Sequence, residues 1–158
     1  MILGTHGDNQ LLFKIAGYQF PNNRNNEFDA NWLMITIDLT TPQGHWEKTD
    51  PSLLTWEVQS LIDWLEAVVI DKEEWNAINF TEPNLSFCIL DKEPQQITLG
   101  LGLALESRPP FLVSSAKSKA TDIVEILCSR TELKEWITYL QNQLAEYALI
   151  SGDFCDDL

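Results

Sequence analysis

The chain has 158 residues, enough for one domain with a core of ordinary size and too few for two. Hydrophobic residues make up 44% and charged residues 22%, near globular averages, which argues against general disorder. Ten Lys and Arg against 24 Asp and Glu leave a formal charge of −14, which repels phosphate backbones and anionic lipid and speaks against nucleic acid or a membrane surface as partner.

The first predicted element is a strand over residues 11–20 (LLFKIAGYQF), closed by Pro21 and the polar run Asn22 to Asn26. From Ala30 to Thr40, Leu33, Ile35, Ile37 and Leu39 alternate with Thr36 and Asp38, the period of a half-buried strand, with Trp32 and Met34 on its other face. Thr41-Pro42-Gln43-Gly44 carries turn chemistry and stops it. Asp50 and Pro51 then predict a helix start at about Pro51, a carboxylate to accept from a first-turn amide and a proline where no N–H is needed. Along that helix Leu54, Val58, Leu61, Ile62, Leu65, Val68 and Val69 share one arc, and Gln59, Asp63 and Glu66 face water. Glu57 falls at the margin of the arc between Leu61 and Trp64, where a carboxylate removed from water needs a partner.

Residues 75–81 and 85–90 predict two short strands around Glu82-Pro83-Asn84. Between 97 and 105, Ile97, Leu99, Leu101, Leu103 and Leu105 form one greasy face of a strand, and Gly100 and Gly102 on the other imply the close approach of a helix or another backbone. Arg108-Pro109-Pro110 ends it, Ser114 to Ala120 reads as a polar loop, and a last strand follows over Ile123 to Cys128. Ser129 with Glu132 is a capping-box pattern opening a second helix. Its face of Leu133, Trp136, Ile137, Leu140, Leu144, Tyr147 and Ala148 predicts about five turns, ending near Ile150 to Gly152. Residues 1–10 and 151–158 read as flexible tails of a single domain. The expected fold class is α+β: an antiparallel or mixed sheet of about six strands with two amphipathic helices packed on one face.

Cys88, Cys128 and Cys155 are odd in number and lack a C-x-x-C spacing, so the pattern encodes neither a disulfide framework nor a structural zinc site and fits a reducing, cytoplasmic setting. The N-terminus has no basic region and apolar run of a secretory signal, and Asp38 and Glu66 cut the longest apolar stretches below membrane-spanning length. The histidines are His6 in the expected tail and His45 in the expected turn, so no nucleophile with a positioned base can be nominated. Phosphate-binding glycine motifs and a calcium loop are missing, and no His/Cys cluster suggests a metal. Glu57 and Glu82 could be paired as glycosidase carboxylates, but any acidic chain offers such pairs. The reading is therefore no catalytic residue, no metal, no cofactor and no enzyme.

Charge distribution is more telling. Between residues 50 and 91 nine acids face one base, Lys72. Asp63, Glu66, Asp71, Glu73 and Glu74 lie on the outward side and C-terminal end of the first long helix, where negative charge opposes the helix dipole. They are either a solvated face that keeps the protein soluble or a surface that captures a basic partner. Six tryptophans are many for this length. Most should pack in the core, and Trp46 in its turn and Trp56 on the flank of the helix are the candidates for interface anchors.

The runs Gly17-Tyr18-Gln19-Phe20-Pro21 and Asp29-Ala30-Asn31-Trp32-Leu33 come first in a recurring order. Pro51 to Glu57 with Trp64-Leu65, and Phe80 to Leu85, complete it. Together these runs resemble the WapI family of bacterial immunity proteins, strongly from Phe13 to Leu105 and in general character at the C-terminal helix. The resemblance implies a small cytoplasmic antitoxin that binds and neutralises the toxic C-terminal domain of a cell-surface or secreted protein, the namesake toxin acting on tRNA. It carries over no catalytic residue. The expected partner is a basic toxin domain, a nuclease whose groove is built for phosphate and can be occupied by clustered carboxylates. The alternative is a structural or regulatory interaction module, a homodimer through exposed Trp or a sheet edge, without a toxin. Asn31, Glu57, Glu82 and Asn84 have two readings: a buried polar network joining the second strand, the first helix and the Glu-Pro-Asn bend, or a partner-binding site.

Overall fold

In the computed structural model, which describes residues 1–23, 26–112 and 121–151, the alternating segments pair into two antiparallel sheets instead of one. The first runs β1 (Ile2–Leu3), β2 (Gln10–Tyr18), β3 (Trp32–Thr41), β4 (Gly44–Leu54), and the second β5 (Ala77–Asn79), β6 (Leu85–Lys92), β7 (Gln96–Ala104), β8 (Thr121–Ser129). Helices α1 (Glu27–Ala30), α2 (Thr55–Val69) and α3 (Arg130–Ala145), with a single 3-10 turn at Leu105–Ser107 after β7, complete the described elements. The α+β class holds, with eight strands in two meanders where about six in one sheet were expected. The division has a simple cause. Helix α2 follows β4 without a loop and interrupts the meander, so the strands after it open a new ladder.

Both sheets and both long helices bury their apolar faces in one cluster. Every residue of the predicted α2 arc is in it or buried beside it. Trp136 of α3 joins the sheets: its ring lies 6.0 Å from Phe13 of β2 and 6.3 Å from Phe87 of β6. Burial of an aromatic trio of this size stabilises by several kcal/mol, about 2 to 3 for each ring.

Several expectations are corrected. Asp50 and Pro51 do not start α2; they belong to β4, and Pro51 sits opposite Met34 at a register shift. An edge strand tolerates a residue with no N–H to donate. The helix starts at Thr55, where Glu57 accepts from the Leu54 amide at 2.9 Å in place of a capping side chain on the preceding residue. His45 and Trp46, expected in a turn, also lie in β4. The expected tail at 1–10 holds β1, paired with β2, with Leu3 buried; that at 151–158 lies, beyond Ser151, outside the described residues, as does the loop of Ser114 to Ala120. Helix α3 ends at Ala145, short of Ile150. Gly100 and Gly102 are indeed crowded, but by the Cys88, Ser86, Ile123 and Thr121 side chains of β6 and β8, and no helix approaches them.

The capping box at α3 is half formed. Ser129 Oγ accepts from the Glu132 amide at 2.9 Å, whereas the Glu132 carboxylate turns to the N-terminal segment and accepts from the Gly4 and Thr5 amides at 2.8 and 3.0 Å. The first residues are thereby tied to the last helix.

Candidate partner-binding surface

The polar residues singled out around the start of α2 form separate ties and not one network. Asn31, fully buried after α1, accepts at Oδ1 from Thr55 Oγ1 and from the Ile150 amide, each at 2.9 Å. Its Nδ2 donates to the Glu27 and Ile150 carbonyls. Glu57, buried one turn into α2, accepts from Leu54 and, at 2.7 Å, from both the amide and the hydroxyl of Thr81. Asn84 donates to Glu106 Oε1 at 3.0 Å. With Trp46, Lys48, Asp50 and Ser107 it lines a cavity of about 10 Å³ between the sheets, room for about one water molecule. Glu82 is half-buried and makes none of these bonds. Glu57 and Glu82 therefore frame no open pocket, and burial of Glu57 against three donors gives it a structural task.

At the other end of α2 the acids are compensated. Asp71 takes a left-handed backbone with φ +57° as the helix stops, and the Lys72 amide donates back to the Ala67 carbonyl at 2.9 Å. Lys92 Nζ donates to Asp71 at 2.9 Å and pairs with Glu73, while Arg130 reaches both Asp71, at 3.1 Å, and the Val69 carbonyl, at 2.7 Å. Hydrogen bonds from Lys92 and Arg130 hold the Asp71 carboxyl below its ordinary range, and Lys92 does the same for Glu73. Burial opposes the Lys92 ammonium, but the two carboxylates outweigh it and raise its pKa. Arg130 places positive charge on the C-terminal carbonyls, where the dipole favours it.

Along the outward face of α2 nothing comparable occurs among the described residues. Asp63 accepts from Gln59 Nε2 and Glu66 from Gln141 Nε2 of α3, both at 2.8 Å, and neither forms an ion pair with a described Lys or Arg. Lys48 is the one Lys or Arg between Asn26 and Asp71, and Glu135 to Ser151 contain none. Lys48 itself is spent on Asp50 and the Glu106 carbonyl.

Beside this face lies a groove of about 260 Å³ lined by Thr55, Trp56, Gln59, Leu144, Tyr147, Ala148 and Leu149. Trp56 is 38% exposed and meets Phe28 edge-on at 6.0 Å; Phe28 in turn meets Trp32. Trp46, by contrast, is half-buried on the inward side of β4 against the core. Trp75, 73% exposed next to the exposed Glu74, was not singled out from the sequence, although its polar neighbours Glu73, Glu74 and Asn76 were a signal. Phe28 and Leu149 were missed because they meet Trp56 only through the fold.

Burial pushes the Cys128 thiol up to about 12, with a smaller contribution from Glu132, and raises that of Cys88. Neither has the lowered pKa of a reactive thiol. No helix among the described residues is long and apolar enough to cross a membrane. The chain matches the model of the immunity protein WapI-like family over residues 1–148. Neither the curated proteins nor the solved structures provide a match.

Proposed function

The chain belongs to the WapI-like family of immunity proteins, and from that premise we propose that it neutralises a basic toxin domain, a nuclease by preference, by covering its active face in the cytoplasm without chemistry of its own. The observation that carries this reading is the contrast in compensation along α2. Among the described residues Asp63 and Glu66 stand without a basic partner beside an aromatic groove, although Asp71 and Glu73, just past the end of the same helix, have theirs. Carboxylates left unpaired attract a basic groove over several ångströms and speed encounter, and Trp56 with Phe28 supplies the apolar contact that slows dissociation. Glu74 and Trp75, both exposed, are assigned to the partner as well. Asp71 and Glu73 contribute less, since their charge is already answered.

The test is binding of the purified chain to the toxic domain encoded beside it, together with survival of cells expressing that domain. We expect tight 1:1 binding whose association rate falls with added salt. Asp63→Asn with Glu66→Gln should lower that rate about tenfold at low salt, and Trp56→Ala should weaken affinity by about 2 kcal/mol. A toxic domain that still kills in the presence of the folded chain, or binding indifferent to salt and to all three substitutions, would sink the proposal.

A further inference from the structure

The outward face of the β3–β4 hairpin carries Asp38, His45 and Glu47. Asp38 lies directly opposite Glu47, and His45, opposite Thr40, is one step along the same face. His45 Nε2 is 2.6 Å from Asp38 Oδ1, and one ligand atom from each of the three residues lies within 4.8 Å of the other two. Like charges directly opposed across paired strands are destabilising. Neither carboxylate has a Lys or Arg partner among the described residues, Asp38 meeting only the imidazole.

From this arrangement we propose a binding site for a divalent transition-metal ion of the zinc type, held by His45 Nε2 and one oxygen each from Asp38 and Glu47. One imidazole nitrogen and two carboxylate oxygens suit zinc and its neighbours, whereas magnesium and calcium favour sets made of oxygen alone. The ion occupies the point where the two negative charges repel, and water completes its shell. It replaces the hydrogen bond between His45 and Asp38, so those two ligand atoms open from 2.6 Å to roughly 3.3 Å, the edge of a tetrahedron with arms of about 2.0 Å. The backbone need not move. Ile37 and Leu39 on the inward face of β3 are buried in the core and hold the ladder, so side-chain rotation alone forms the site. A bound ion would tie the edge strand β4 to β3 close to their turn.

The experiment titrates zinc, and separately magnesium, into the full chain while following the histidine ring signals by NMR and the thermal midpoint. Zinc should bind with His45 ring signals shifted and the midpoint raised, and magnesium should do neither. Asp38→Asn, His45→Gln and Glu47→Gln should each weaken zinc binding at least about tenfold, as loss of a directly bound ligand requires, and His6→Gln should leave it unchanged. All three positions lie at the surface, and circular dichroism of the zinc-free variants confirms that they fold. Unshifted His45 signals at millimolar zinc, an equal response to magnesium, or zinc binding that survives His45→Gln would overturn the assignment.

Discussion

The two ends of α2 hold their carboxylates by opposite means. At the N-terminal end Glu57 is buried and every bond it accepts comes from a neutral donor: two amides and a hydroxyl. At the C-terminal end Asp71 is exposed and Glu73 half-buried, and both face cations, Lys92 and Arg130, delivered by β6 and the first residue of α3. Directional donors in a dry site enforce one geometry, whereas exposed ion pairs are screened and contribute less. The comparison also isolates what lies between the ends. Among the described residues Asp63 and Glu66 receive neither treatment beyond a single glutamine amide each, so the described fold gives no reason for their charge.

The largest effect should come from the buried end. Glu57→Ala leaves the Leu54 and Thr81 amides and the Thr81 hydroxyl without their acceptor and should destabilise by about 2 to 4 kcal/mol, read as a lower urea midpoint. A loss below about 0.5 kcal/mol would mean that water replaces the carboxylate and that this end is not dry. The paired end should respond to acid. Asp71 and Glu73 sit below their ordinary values of 3.8 and 4.5, so their contribution is complete above about pH 4.5 and is lost as pH falls through the lowered values. Asp71→Asn with Glu73→Gln should therefore flatten the decline in stability below pH 4.5, and an unchanged acid transition would break the comparison. The smallest effect belongs to the middle. Asp63→Asn with Glu66→Gln should change stability by no more than about 0.5 kcal/mol while slowing capture of the toxic domain. A larger loss of stability would return these acids to the fold and away from a partner.

How much was legible depended on whether a segment buries apolar side chains at a regular period. β2, β3, β6, β7 and β8 and the α2 arc do so and were readable, give or take their ends. β4 was not, because the residues it turns inward before Ser52 are Trp46, Lys48 and Asp50, which line a small cavity, so no apolar alternation marks the strand. Its Asp-Pro pair then imitated a helix start. β1 was hidden by its length, two residues, too few to show a period. Among the site residues, Glu57 could be flagged as a carboxylate in need of a partner, but Thr81, its partner 24 residues on, could not.

Local chemistry was thus enough to establish the α+β class, the apolar stripe of α2, the Ser129 cap and the excess of acid on one helix, because each rests on spacing within a few residues. Which of those acids are answered by Lys92 and Arg130, which tryptophans reach the surface, and that Asp38 faces Glu47 and His45 were settled by tertiary structure alone. Pairing across 21 or 59 residues, or across a strand ladder, depends on where the shared core places each backbone, and no local spacing encodes that.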